Sequence, residues 1–338
     1  MKAAAWSAGV RPLKVAIVGA GQWGQQHARV FASRADTDLC AVAARHPERA
    51  HARAAEWGIR GYTSIPGMIE AEHPDLVSVC LPSEEHFGAT MQVIESGVPL
   101  IAEKPLVFDL AEADQLLAAA DRKSLFFAIN FNHRFAEPVH RAQAAIGSGD
   151  VGDVTFATWR FGGEPGTSNH PYANLIETQC HGLDMLEYLC GSIESVMSQM
   201  TGKGGRNHGT IAVALAFGGG AVGTLLGSYD TSYAYPGAHL LEVNGTRGRV
   251  IVEDTVRRFT LSRTGEETRQ VWEAGYFNDA GRAFQHTFDR HVDAVLAALR
   301  AGAPPPVPAS AGRRALQLAY SIIESFETGR RVPVPDPR

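Results

Sequence analysis

Three short stretches carry residues of a type and spacing that could do chemistry. "LIAEKPLVFD", from Leu100 to Asp109, sets Glu103, Lys104 and Pro105 side by side directly after the apolar run "GVPLIA". "VAIVGAGQWG" places Gly19, Gly21 and Gly24 in the spacing GxGxxG. "NLIETQCHGLD" holds Glu177 and His181 four residues apart. The glycines suit a phosphate. Gly19 allows a tight turn, Gly21 lets the backbone approach a pyrophosphate, Gly24 permits close helix packing, and the helix N-terminus faces the anion. Lys104 follows a strand, so it stands at the carboxyl end of a sheet, where ligands of open α/β sheets bind. There it could reach a nicotinamide ribose and a substrate oxygen. To share in proton transfer it would need burial or a neighbouring positive charge. The bland reading is a charge pair at a helix entry. On an α-helix Glu177 and His181 share one face, beside an apolar stripe of Ile176, Cys180 and Leu183. Such a helix packs one side and offers a carboxylate and an imidazole for acid–base work. By residue type alone, a solvated or core pair is the commoner meaning.

The choice of dinucleotide turns on the end of the second strand, "AVAARHPERA". An acidic residue is usual there for the ribose 2′-OH. Here Ala44 takes that place, followed by Arg45 and His46. A missing carboxylate and added cations lean toward a 2′-phosphate, hence NADP, with NAD use left open.

The elements that must position these residues fall into two grammars. Up to about residue 125, strands and helices alternate: strands at 13–21, 37–45, 75–82, 99–105 and 125–130, helices at 23–34, 46–58, 86–97 and 109–123. That pattern predicts a parallel sheet covered on both faces. After residue 131 come seven strand-like runs at 152–161, 192–200, 209–217, 220–229, 238–254, 256–262 and 268–273, joined by Gly-rich turns. They predict a mostly antiparallel sheet, interrupted by one helix at 174–191 and closed by two more near 278–301 and 309–329. The polar loop at 161–174 is long for a spacer, and Asn169, His170 and Tyr172 in it are candidates for polyol contact. The expected organisation is therefore a nucleotide-binding domain, 1–130, and a substrate and oligomerisation domain, 131–338. A length of 338 residues allows two such cores.

Composition narrows the function. A net charge of −5 gives no reason to expect nucleic acid or an anionic membrane as partner. No apolar run approaches the length of a membrane span. The start, "MKAAAWSAGVRPLK", reads as a short disordered lead-in rather than a signal peptide. Cys40, Cys80, Cys180 and Cys190 show no CxxC pair or metal spacing, which points to reduced thiols and a cytoplasmic setting. The sequon at Asn244 is then a chance match. A zinc site from His133, Glu177 and His181 lacks a cysteine ligand and a supporting motif, so no metal is expected.

In the order "VAIVGAGQWGQQH", "CLPSEEH", "LIAEKPL", the chain resembles the glucose-fructose oxidoreductase/inositol dehydrogenase (Gfo/Idh/MocA) family. The ending "RRALQLAYSIIESFETGRRVPVP" extends the resemblance over nearly the whole chain. The resemblance implies a Rossmann domain followed by an α/β domain on an open antiparallel sheet. It implies oxidation or reduction of a secondary alcohol on a sugar or cyclitol. Lys104 becomes the catalytic lysine, positioned by Glu103 and Pro105. His181 matches the histidine of a GG-x-L-x-D-x-x-x-H pattern, and Glu177 falls on its aspartate. Tyr172, Ala173 and Asn174 stand where glycines are common, which implies a reshaped pocket. In "INFNHRF", Arg134 keeps an arginine of the family while His133 replaces another, so both are substrate candidates together with Tyr172, Glu177 and His181. Cofactor contacts are implied for Gly19, Gly21, Gln22, Trp23 and Gly24, for Arg45 and His46, for Leu81, Pro82 and His86, and for Glu103 and Lys104. Asp184 reads as structural.

The leading expectation is an NADP-leaning oxidoreductase, with His181 as base and Lys104 polarising the same oxygen. It would be a homodimer or homotetramer joined through the sheet. A rival reading is a nucleotide-binding regulatory or scaffold protein that kept the fold and lost turnover. Another is an enzyme that retains its cofactor and couples two half-reactions.

Overall fold

The computed structural model describes residues 11–164, 168–205, 207–275 and 283–336. The lead-in expected over 1–10 lies outside them, as do positions 165–167 of the 161–174 loop and 278–282 of the helix expected from 278. The chain divides into two compact units. One comprises the residues up to Glu103 with Asp114–Ala128; the other comprises Lys104–Ala113 with Ile129 onward.

The first unit is a six-stranded sheet of β1 (Leu13–Val18), β2 (Thr37–Ala43), β3 (Arg60–Tyr62), β4 (Leu76–Val79), β5 (Leu100–Ala102) and β6 (Phe127–Ile129). Its order is β3-β2-β1-β4-β5-β6. β1 pairs in parallel with both β2 and β4, so the order reverses beside β1. That reversal is the switch point at which dinucleotides bind in doubly wound sheets. The strands are short and apolar because both faces are covered: Val15 to Val18, Leu76, Val77, Val79 and Leu100 to Ala102 are all buried. The helices are α1 (Gln22–Ala32), α2 (Pro47–Trp57), α3 (Ile65–Glu72), α4 (His86–Glu95) and α5 (Leu110–Arg122). The sequence pattern did not anticipate β3 or α3. β3 is three residues long, and α3 is an eight-residue helix with proline and glycine in its first turn. Neither leaves a readable period.

The second unit contains α6 (Glu137–Gly147), also unanticipated; its buried face is built from small residues, Pro138, Val139, Ala142 and Ala145. Its sheet contains β7 (Val154–Gly162), β8 (Ile193–Thr201), β9 (Thr210–Phe217), β10 (Val222–Ser228), β11 (His239–Gly245), β12 (Gly248–Glu253), β13 (Arg258–Arg263), β14 (Arg269–Glu273) and β15 (Val332–Pro333). The order is β14-β13-β12-β11-β7-β10-β9-β8-β15. Only β7 and β10 pair in parallel among the described pairings. β10 alternates buried and exposed along its length, as a sheet covered on one face must. α7 (Cys180–Cys190) and α9 (Ala309–Thr328) pack against the covered face and each other, and α8 (Gln285–Ala301) packs on the turn at Asn132–Phe135. Arg314 of α9 grips the Glu187 carboxylate of α7 through Nε and Nη2, at 2.7–3.1 Å, and so fixes α7. On the other face Phe156, Met197, Val222, Leu226 and Val271 are exposed.

Candidate active site

The glycine loop joins β1 to α1. Gly19 adopts φ +126°, and a Cβ there would stand 2.3 Å from the Cys80 carbonyl oxygen. A Cβ on Gly24 would stand 2.2 Å from the Gly19 oxygen. Both positions demand glycine for packing. Gly21 differs, because nothing lies within 4 Å of its would-be Cβ. It precedes α1 with no side-chain cap, which leaves the first-turn N–H groups without a side-chain partner at the place where a pyrophosphate can approach. Gln22 and the 45%-exposed Trp23 flank it. Beside the loop is a cavity of about 440 Å³ lined by Val18, Ala43, Ala44, Arg45, Ser64, Leu81, Glu85 and neighbouring residues. Its size and its place past β1, β2 and β4 fit an adenosine. These features together accommodate a dinucleotide.

Within that cavity Arg45 Nη2 donates to Glu85 Oε1 at 2.7 Å. The cation that suggested a 2′-phosphate is thus paired with a carboxylate in the same pocket. His46 is the exposed residue before α2. Leu81 and Pro82 are partly to largely exposed after β4. His86 is 1% exposed and its Nε2 bonds the Leu81 carbonyl at 2.8 Å. It therefore braces the loop from within, at Leu81.

Lys104 lies two residues past β5, as the strand pattern implied, and its peptide bond to Pro105 is cis. The preceding Glu103 is buried. His27 Nε2 stands 2.9 Å from Glu103 Oε1, and His27 Nδ1 stands 2.5 Å from Ser78 Oγ. This buried Ser78–His27–Glu103 chain fixes the start of the turn within the first unit. Sequence reasoning passed over His27 and Ser78, although His27 sits at the end of the glycine-loop motif.

In the second unit, the segment at 174–191 is not one helix. Asn174–Thr178 form a π-helical turn, closed by the Gln179 N–H on the Asn174 carbonyl at 2.9 Å, and α7 begins afterward at Cys180. Glu177 and His181 therefore do not share an α-helical face. The wider turn leaves the Glu177 carbonyl to accept from Lys104 Nζ at 2.9 Å and from Cys180 Sγ at 3.3 Å. Turns of this kind recur at functional sites for this reason. Trp159 and Gly182 explain the neighbouring seam: the indole fills the space of a Cβ at Gly182, and its N–H donates to Gln179 Oε1 at 3.2 Å.

His181 is 6% exposed and His133 2% exposed. Their rings stack at 4.1 Å with 16° between planes. Phe131 meets His181 edge-on at 5.8 Å, and Phe284 meets His133 edge-on at 5.2 Å. The turn that carries His133 is held by the Asn132 side chain donating to Thr287 Oγ1 at 2.7 Å and by Asn130 Oδ1 with His291 Nδ1 at 2.8 Å. Burial pushes the His133 pKa down to about 3, helped by His239 and Lys104. Burial above all holds His181 well below the ordinary histidine range; a charge on His133, which is neutral unless protonated, would lower it further, as does the Lys104 ammonium. Both rings are neutral bases at neutral pH. His239, on β11, is itself lowered by burial and bonds the Gly162 carbonyl at 2.8 Å. Nothing in the sequence marked it, nor Trp159, nor Phe284.

Two of the substrate candidates have partners within the protein. Arg134 lays Nε and Nη2 on the Asp184 carboxylate at 2.8 and 2.5 Å, under Tyr188 at 4.6 Å. It braces α7 through Asp184, the residue expected to be structural. Tyr172 donates its hydroxyl to Glu327 at 2.9 Å and stacks on His208 at 4.6 Å. His170 stacks on Phe108, at 4.6 Å.

Comparison with known proteins agrees with this architecture. The model of the Gfo/Idh/MocA oxidoreductase family, NAD-binding Rossmann fold, matches residues 13–131, and that of its C-terminal alpha/beta domain matches 147–334. A myo-inositol 2-dehydrogenase of Thermotoga maritima is 25% identical over 348 residues, covering 96% of this chain and 99% of its own. A D-glucoside 3-dehydrogenase of Escherichia coli is 32% identical over 151 residues, 44% of this chain and 43% of its own. A levoglucosan dehydrogenase solved with NADH and levoglucosan superposes with a TM-score of 0.86 at 18% identity, covering 96% of this chain and 100% of that one. An Agrobacterium radiobacter oxidoreductase solved with NAD+ and L-tartaric acid gives 0.83 at 18%, covering 95% and 98%. At such identities the structures speak to the fold alone. The two matched domains together span most of the chain and show that it belongs to the Gfo/Idh/MocA family of oxidoreductases and carries an NAD-binding Rossmann domain.

Proposed function

We propose that the protein is an NAD(P)-dependent dehydrogenase that moves hydride between the nicotinamide and a secondary alcohol or ketone of a sugar, sugar derivative or cyclitol. The observation that carries this reading is the grouping of Lys104, His181 and His133 around the π-helical turn, with two imidazoles buried and neutral. A neutral imidazole takes a hydroxyl proton; an ammonium beside it polarises the same oxygen. Bound NAD(P) supplies the hydride acceptor. His181 removes the proton, Lys104 stabilises the developing oxyanion, and the Glu177 carbonyl orients the ammonium. The surrounding rings exclude water, which strengthens each charge interaction. In reverse, protonated His181 returns its proton to the alkoxide. The relatives named for inositol and glucoside oxidation support the polyol class. The Arg45–Glu85 pair favours NAD over NADP. The exposed apolar residues of the second sheet suit a homodimer or homotetramer.

The test is a panel of cyclitols, hexoses, pentoses and methyl glycosides with NAD+ and NADP+, read at 340 nm. Oxidation of a neutral polyol, abolished by Lys104→Ala and by His181→Ala, supports the reading. Cofactor binding without turnover across the panel favours the scaffold reading.

A further inference from the structure

His181 lacks the support that a catalytic histidine usually has. Among the described residues its Nδ1 is buried without a hydrogen-bond partner, and no carboxylate among them accepts from that nitrogen to stabilise the imidazolium that forms when the ring takes a proton. The groups around it offer little compensation. Lys104, from the turn after β5, is positive. Asp184, one turn along α7, is taken up by Arg134. Glu177 presents its carbonyl to Lys104. His239, on β11, faces His133 through Phe161, which stacks on His239 at 3.7 Å and stands 5.8 Å from His133. What lies directly on His181 is the face of His133, at 4.1 Å. Rings stacked face to face do not hydrogen-bond to each other, because their N–H groups and lone pairs lie along the edges. Direct proton transfer between the two rings is excluded by that geometry. A neutral aromatic face does attract a cation placed over it, and most strongly where water is absent.

We infer that His133 is a positioning residue for proton transfer: its uncharged ring, stacked on His181, stabilises the imidazolium that His181 becomes as it accepts the hydroxyl proton. This rests on the reading of His181 as the base. The arrangement is built for it. Phe284 holds His133 by its edge, Trp159 and Phe161 flank it at 6.2 and 5.8 Å, and the Asn132–Thr287 bond fixes the turn below. The ring is also kept uncharged, since burial pushes its pKa down to about 3.

The role requires a flat π face and no ring nitrogen. The experiment compares His133→Phe, His133→Leu and His181→Ala with the wild type, using a polyol that the wild type oxidises. His133→Phe is expected to keep kcat/KM within a few-fold. His133→Leu is expected to lose about 10- to 30-fold, with the KM for cofactor unchanged. The acid limb of its kcat/KM profile should move to lower pH, because an unsupported imidazolium deprotonates more readily. A packing role alone would not move that limb. Loss of turnover in His133→Phe, or a His133→Leu enzyme with wild-type rate and limb, overturns the inference. If the leucine chain does not fold, the phenylalanine variant decides by itself. Turnover retained in His181→Ala removes the base and with it the functional reading, a failure distinct from the other two.

Discussion

Burial of His133 should make the second unit acid-sensitive by a calculable amount. An unfolded chain protonates this histidine near its ordinary pKa of 6.5, whereas the folded chain holds it to about 3. Above 6.5 both states are neutral and no penalty exists. Below 6.5 the unfolded state gains a proton that the folded state refuses, so stability falls with pH through the window from 6.5 to about 3. Between pH 7 and pH 5 the unfolded state gains about 2 kcal/mol from this one group, and the whole window is worth about 5 kcal/mol at 1.36 kcal/mol per unit. Against a net stability of roughly 5–15 kcal/mol the effect is measurable. The perturbation is His133→Phe, which keeps a ring of similar size. The assay is hydrogen exchange of β7 and α7 amides at pH 7 and pH 5 in both proteins, corrected for intrinsic exchange rates. His181 and every carboxylate remain in both, so their contributions cancel in the difference. The wild type should lose about 2 kcal/mol more than the variant on going to pH 5. An equal loss in both would refute the claim that His133 is neutral and sealed in the folded state.

Four further outcomes follow from the geometry. Lys104→Ala should reduce kcat by about 100-fold or more while cofactor affinity, measured by nicotinamide fluorescence, stays within a few-fold; unchanged turnover would remove Lys104 from the mechanism. NADH should bind more tightly than NADPH, and Glu85→Gln should narrow the gap by freeing Arg45; tighter NADPH binding to the wild type would restore Arg45 as a 2′-phosphate ligand. Gly19→Ala should destabilise the first unit by about 2–4 kcal/mol in guanidinium unfolding, since its Cβ would stand 2.3 Å from the Cys80 oxygen at φ +126°. Leu226→Arg should shift the protein toward monomer in light scattering if the open sheet face is its interface; an unchanged mass would place the interface elsewhere.

The sequence by itself determined the two grammars and the residues at fixed offsets within them. Short strands buried on both faces leave continuous apolar runs, and a sheet covered on one face leaves alternation, so both sheets were legible. The glycine loop and Lys104 were legible because strand, turn and helix are contiguous in the chain. Elements without a period were not: β3, α3 and α6 are short or built from small residues. The helix expected at 174–191 contains a π-helical turn that no local pattern announces, because one extra residue per turn is decided by what the freed carbonyl can bind. The partners of each charge also depended on tertiary structure. Arg134 faces Asp184 and Arg45 faces Glu85, pairs separated by 50 and 40 residues. The stacking of His133 on His181 was likewise out of reach. It requires two elements 48 positions apart in the sequence to meet inside one core, where burial, a property of the packed chain alone, turns two ordinary histidines into neutral bases.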